Sequence, residues 1–229
     1  MDYEQPQPEP ETTPASETNS EQHHQPPTDG NSSIPAKAEN PWIETLKTIG
    51  LSAVLAIGIR IFVVEARYIP SGSMLPTLHI DDRLIIDKIS YRFSNPVRGD
   101  IVVFNPTAEI AKELDDEGNQ KYKEAFIKRI IGLPGDRIDV KDGKVYINDK
   151  VLTEKYLDEA PAYNWSSTEL TPDGIVPEGH YLVLGDKRNN SYDSHHWGFV
   201  PKDKIVGKAT IRFWPIDRLG GIDPQPNYQ

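Results

Sequence analysis

The sequence predicts an all-β body of short strands, a sandwich or partly open barrel, preceded by one transmembrane helix and a disordered N-terminal tail. Three observations predict it. An acidic, proline-rich stretch gives way abruptly to an apolar run at residues 49–64. Beyond residue 65 the apolar residues fall in short clusters bounded by glycine and proline, the pattern of strands rather than helices. The 229 residues are 37% hydrophobic, enough for a core of ordinary size. The expected division is a tail at 1–41, an anchor at 42–65 and a body at 66–229.

Composition also excludes several classes of function. A net charge of -10 argues against nucleic-acid binding, which leaves a basic footprint. The absence of cysteine excludes disulfide scaffolds, thiolate zinc sites and cysteine nucleophiles. A mean hydropathy of -0.56 excludes a polytopic membrane protein.

The tail comes first. Residues 1–40 hold eight acids, one base (Lys37) and seven prolines, so they carry -7 of the total charge. With almost no large apolar side chains, such a segment cannot offset its ordering entropy by burial. The anchor follows as IGLSAVLAIGIRIFVV, extended upstream by Trp42, Ile43 and Leu46. Arg60 lies toward its C-terminal end, where a long side chain reaches the interface, and Trp42 suits the other interface. A secretory signal would begin with a basic region rather than a forty-residue acidic tail. The flanking Lys37 and Lys47 against Arg67 and Arg83 leave orientation undecided by charge.

In the body, Ile101–Phe104, Phe126–Ile131, Tyr181–Leu184 and Ile205–Phe213 read as strands. Arg137–Val140 and Val145–Ile147 flank Lys141-Asp142-Gly143, a hairpin signal. Residues 107–125 and 155–178 are polar and read as exposed loops.

Three segments carry chemistry. In Tyr68-Ile-Pro-Ser-Gly-Ser-Met-Leu-Pro-Thr-Leu78, prolines restrain the chain on both sides of two serines and Gly72 permits a sharp turn, which suits rigid presentation of Ser73. In Phe126–Asp136, Lys128 shares a strand face with Phe126 and Ile130. A lysine there is either an edge-strand charge that blocks aggregation or a desolvated general base. The stretch Gly185–Val200 is polar and turn-rich. Asp193 precedes His195 and His196, so on the residues alone a Ser-His-Asp arrangement stays open.

Taken together, these segments resemble the type I signal peptidases, membrane-bound serine proteases with a Ser-Lys dyad. The resemblance runs from about Trp42 to Ile222 and includes PSGSMLPTL, RGDIVVF, KRIIGLPGD, VPEGHYLVLGD and the Asn-Ser-x-Asp-Ser…Trp-Gly stretch, in the family's order. It implies an all-β protease body. It implies Ser73 as nucleophile, Lys128 as general base, and Ser71 as a partner of the Ser73 N–H in the oxyanion hole. It further implies that Ser191 orients the lysine amine, that Asp193 supports that loop, and that Ile69, Met74, Leu78 and Ile127 line the substrate pockets. The implied reaction is removal of signal peptides from exported preproteins after a small-x-small (Ala-x-Ala) site. The implied topology is a cytoplasmic N-terminus with the catalytic domain on the trans side. The expected partners are preproteins, the lipid bilayer and the export translocase, with no nucleic acid. No metal and no organic cofactor is implied.

Three positions depart from the family's commonest pattern, GDNRDNSxDSR: Lys187, Asn189 and His195. His195 is expected to make a weaker version of an Arg–Asp contact with Asp193. Position adds a constraint independent of the resemblance. Ser73 lies nine residues after Val64, a reach of at most roughly 30 Å, so the nucleophile works close to the membrane. Two other readings compete. Self-cleaving Ser-Lys repressors share the dyad, but they carry a DNA-binding domain where this chain has a tail and an anchor. An inactive scaffold homologue would be favoured by loss of the dyad, and both dyad residues are present.

Overall fold

The structure is a computed structural model that describes residues 40–114 and 124–222. The expected disordered tail falls almost wholly on residues outside that range.

Asn40 starts the first helix, α1 (Pro41–Phe62). Its side chain accepts from the Trp42 N–H at 3.2 Å, and proline suits the first helical position because that residue's N–H has no intrahelical partner anyway. At ~1.5 Å per residue, the 22 residues span about 33 Å. The helix therefore extends well upstream of the apolar run, through Trp42, Ile43 and Leu46. These side chains, with Leu51, Val54 and Leu55, are exposed, and the helix is long and apolar enough to cross a membrane.

The chain then passes directly into β1 (Val64–Tyr68) and, after a long excursion, β2 (Arg83–Asp87). A short helix, α2 (Ser90–Phe93), precedes β3 (Ile101–Phe104). Next come α3 (Ala108–Glu113), β4 (Phe126–Gly132), β5 (Ile138–Lys141) and β6 (Lys144–Ile147). Two-residue strands β7 (Lys150–Val151) and β8 (Trp165–Ser166) precede β9 (His180–Leu184). The last elements are α4 (Ser194–Trp197), β10 (Val200–Pro201), β11 (Ile205–Trp214) and β12 (Gly220–Gly221).

These strands form two antiparallel sheets. The larger runs β1-β2-β11-β3-β4-β9-β10, with β12 added to β11; the smaller runs β7-β6-β5-β8. The larger sheet does not close on itself, so the expected all-β, partly open architecture holds. The fully apolar IVVF of β3 is explained by cover on both faces. Ile101 and Val103 enter one apolar cluster, while Val102 and Phe104 enter another. The β5–β6 hairpin turns on Asp142 and Gly143, both at positive φ (51° and 71°), the conformation that a two-residue hairpin loop demands.

Two expectations are corrected. Residues 107–125 are not simply an exposed loop. Thr107 caps α3 by accepting from the Ile110 N–H, and that places Ile110 fully inside the core. Residues 115–123 lie outside the described range. Residues 155–178 likewise are not simply a solvated loop: Tyr156, Trp165, Ser167 and Val176 are buried. Trp165 pairs with Val140, and Ser166 and Glu169 cap the short turn that follows, so local hydrogen bonds let a polar stretch pack.

Candidate active site

The excursion between β1 and β2 carries Ser71 and Ser73. Its base is closed by two backbone bonds, from Ile69 N–H to the Asp82 carbonyl and from Asp81 N–H to the Ile69 carbonyl, both 2.9 Å. Turns within it bond Leu75 N–H to Gly72 O and Leu78 N–H to Met74 O. Met74 and Leu78 are fully buried and pin the loop to a cluster that also holds Ile69 and Ile127. The four residues expected to line the substrate pockets thus belong to one buried apolar cluster. Asp82, buried at the loop's base, accepts from His79 N–H, Arg212 and Arg218.

Lys128 comes from β4. The sheet order places β4 between β3 and β9, so the edge-strand reading of this lysine is wrong. Lys128 is 4% exposed, and its Nζ donates to Ser73 Oγ at 2.7 Å. The Phe126 ring lies 6.0 Å from the amine, consistent with their shared strand face. Burial pushes the lysine down to about 8 from its ordinary 10.5, against the upward pull of Asp193 and Asp186. At pH 7 about one amine in ten is then neutral, against about four in ten thousand for a free lysine. A neutral amine at that distance is able to accept the serine proton. Ser71 Oγ stands 3.5 Å from Ser73 Oγ.

The third segment closes over the dyad from the other side. Lys187 N–H donates to the Ser73 carbonyl at 3.0 Å. Gly185 packs so closely that a Cβ there would stand 2.5 Å from that carbonyl and 2.1 Å from Ser191 Oγ. Only glycine fits this approach. Ser191 Oγ packs against Gly185, but its hydroxyl is buried without a hydrogen-bond partner, so the expected bond to the Lys128 amine is not formed. Asp193 is fully buried, accepts from Gly185 N–H at 2.8 Å, and caps α4. His195 Nδ1 meets its other oxygen at 2.7 Å, so the expected His–Asp contact is formed. Ser73 Oγ is met by Lys128 rather than by a histidine, which disfavours the triad left open above even though His195 and Asp193 are paired.

Sequence reasoning missed the buried ion pair behind the dyad. Arg129, one residue after the lysine and so on the opposite strand face, grips Asp186 through Nε (2.8 Å) and Nη2 (2.7 Å). Its Nη1 donates to Gly99 O, and its guanidinium stacks 3.9 Å from the Tyr156 ring centroid. Thr77 Oγ1 donates to the same Asp186 carboxylate at 2.6 Å. Arg188 forms a second buried pair, with Glu154. The available signal was a second cation inside an apolar strand; its partner lies 57 positions away and carried none. Among the described residues no group of three or more histidines and acids is placed to hold a metal ion.

A family model described as "Signal peptidase, peptidase S26" matches residues 42–214. The chain is 52% identical over 214 residues to a signal peptidase I of Leptolyngbya laminosa, covering 93% of this chain and 100% of that one. It is 56% identical over 182 residues to a probable signal peptidase I-2 of Synechocystis sp. (strain ATCC 27184 / PCC 6803 / Kazusa), covering 80% and 78%. A crystal structure of a signal peptidase I from Enterococcus faecalis V583 is 32% identical, with a TM-score of 0.41, over 51% of this chain and 98% of that one. A family match over most of the chain, with such identity over most of each relative's length, decides the matter: the chain is an enzyme and belongs to the signal peptidase family, peptidase S26.

Proposed function

We propose that the chain is a membrane-anchored serine endopeptidase that removes signal peptides from exported preproteins after an Ala-x-Ala-type site, with Ser73 as nucleophile and Lys128 as general base. The observation that carries the reading is the 2.7 Å contact between Lys128 Nζ and Ser73 Oγ inside an apolar surround. When the amine is protonated it donates to the hydroxyl. When it is neutral the same contact reverses, and Nζ takes the proton as Oγ attacks the scissile carbonyl. The lysinium then protonates the departing amine. Water, activated by the same lysine, hydrolyses the acyl-enzyme. The Ser71 hydroxyl and the Ser73 N–H receive the oxyanion. In this reading the Ser191 hydroxyl, buried without a partner in the structure, is the group that turns to the lysine amine and orients it during the reaction, and Asp193 holds the loop that carries it.

In this reading α1 spans the bilayer with the N-terminus in the cytoplasm and the body on the trans side. The direct passage from α1 into β1 keeps Ser73 near the surface from which a membrane-inserted signal peptide emerges. Preproteins, lipid and the export translocase are its partners.

The test is cleavage of an Ala-x-Ala peptide and of a full preprotein by purified full-length protein. Ser73→Ala is inactive yet folded, and Ser71→Ala is slower by about 10²–10³ through one lost oxyanion donor. Lys128→Arg is nearly inactive, because a guanidinium keeps its proton in this range. Turnover by Ser73→Ala at the wild-type rate ends the nucleophile assignment.

A further inference from the structure

The loop that closes over Ser73 is itself held from outside by a segment that the reaction does not use. Asn189 bridges that segment at two points: its Oδ1 accepts from Ala162 N–H at 2.7 Å, and its Nδ2 donates to Ala160 O at 3.0 Å. Lys187 Nζ lies 3.1 Å from Glu159 and 3.6 Å from Asp158. The Tyr163 ring stacks on His195, with centroids 4.6 Å apart and planes 15° from parallel. His195 bonds Asp193, whose second oxygen holds Gly185 N–H, and Gly185 abuts the Ser73 carbonyl. An unbroken run of contacts thus leads from Tyr163 to the nucleophile's own backbone.

The space between loop and segment is not filled by core packing. A cleft of about 480 Å³ lies there, lined by Ala162, Tyr163, Asn189, Tyr192, His195 and His196. Across this cleft, discrete contacts rather than close packing join the loop to the segment, while the loop's buried side, at Asp186, Arg188 and Asp193, is fixed by the core. The Lys187 pairs are solvent-accessible and contribute little. Between the loop and residues 158–163, the Asn189 bridge and the Tyr163 stack remain. The Tyr163 hydroxyl is buried without a hydrogen-bond partner, so its ring, not its polar end, makes the contact.

We propose that residues 158–163 are a strap that holds the Gly185–His195 loop in register with Ser73, and that Asn189 and Tyr163 are positioning residues for the reaction. The inference rests on the Ser73–Lys128 reading. Neither residue needs to touch substrate. Each acts by keeping the loop, and through Lys187 N–H and Gly185 the Ser73 carbonyl, where the serine and amine meet.

The experiment uses the full-length chain in detergent and an Ala-x-Ala peptide, with kcat and KM measured separately for Asn189→Leu, Tyr163→Ala, Tyr163→Phe and Ser73→Ala. Tryptophan fluorescence reports folding at each assay temperature. Asn189→Leu and Tyr163→Ala are expected to lower kcat by about tenfold or more while KM stays within about twofold, since displacement of a reacting group acts on the chemical step. Tyr163→Phe, which keeps the stack, is expected to retain the wild-type kcat. Wild-type kcat in Asn189→Leu and Tyr163→Ala overturns the strap. So does a kcat loss found only where fluorescence reports unfolding, and so does an equal loss in Tyr163→Phe. Activity in Ser73→Ala sinks the dyad and the strap with it; an inactive Ser73→Ala beside normal strap variants sinks the strap alone.

Discussion

Arg129 and Asp186 face each other through two parallel hydrogen bonds of 2.8 and 2.7 Å, both partners almost wholly out of water. The pair ties β4, which carries Lys128, to the loop that covers Ser73. Thr77 joins the same carboxylate, so all three chemistry-bearing segments meet at one acid. Removing that acid leaves a buried guanidinium uncompensated. Asp186→Ala is expected to cost about 3–5 kcal/mol. Asp186→Asn retains hydrogen-bonding capacity and costs less. Urea unfolding monitored by tryptophan fluorescence measures both; equal stability in Asp186→Ala and wild type contradicts the account.

Lys128 links activity and stability to pH in the same direction. Activity rises as the amine loses its proton, with an acidic limb near pH 8. For stability, the folded state holds this proton less tightly than the unfolded state does. Below about pH 8 the lysine is protonated in both states and the cost of burying the charge is present in full. Between pH 8 and 10.5 the folded state releases its proton first, so the cost fades as pH rises. Lys128→Met is therefore inactive but more stable at pH 7, by up to ~3 kcal/mol, with the gain lost near pH 10.5. Denaturation curves of both proteins at pH 7 and pH 10 test it, and a pH-independent difference rejects burial as the cause.

Gly185→Ala places a Cβ 2.1 Å from Ser191 Oγ and 2.5 Å from the Ser73 carbonyl. Backbone cannot yield as a flexible side-chain tip can, so the loop must move. The expected outcome is a loss of about 1–3 kcal/mol of stability and about 10² in kcat. A peptide assay at a temperature where the variant is folded separates the two. Full activity shows that the loop tolerates displacement.

The anchor is removable, but the cut must respect β1. Val64 pairs with Asp87 and Glu65 with Ile86, so deletion of residues 1–65 strips two residues from a sheet strand. Deletion of residues 1–62 leaves the strand whole. That shorter deletion is expected to yield a folded body, active on peptides and slower on membrane-inserted preproteins. Flotation with lipid vesicles checks the other half of the reading: full-length protein floats with the bilayer. Full-length protein that stays soluble without detergent contradicts the spanning helix.

Much of this was legible in the chain itself. A sixteen-residue apolar run after an acidic tail marks one helix, because length and composition alone decide whether a segment suits a bilayer. Asp142-Gly143 marks a hairpin because few residues accept positive φ. Lys128 was conspicuous as a cation on an apolar strand, and Ser73 through its prolines and glycine. Each of these is a local property, readable over a few residues. Whether Lys128 stands at an edge or in the interior was not local. Sheet order decided it, by placing β3 and β9 on either side. The same holds for Arg129 and Asp186, for the approach of Gly185 to Ser73, and for the burial of Tyr156 and Trp165 within a stretch that reads as solvated. Polar residues look like surface until a partner satisfies them. The partners here lie tens of positions away, where no periodicity reaches, so only the folded chain could bring the charges together and exclude water from Lys128, which lowers the lysine's affinity for its proton.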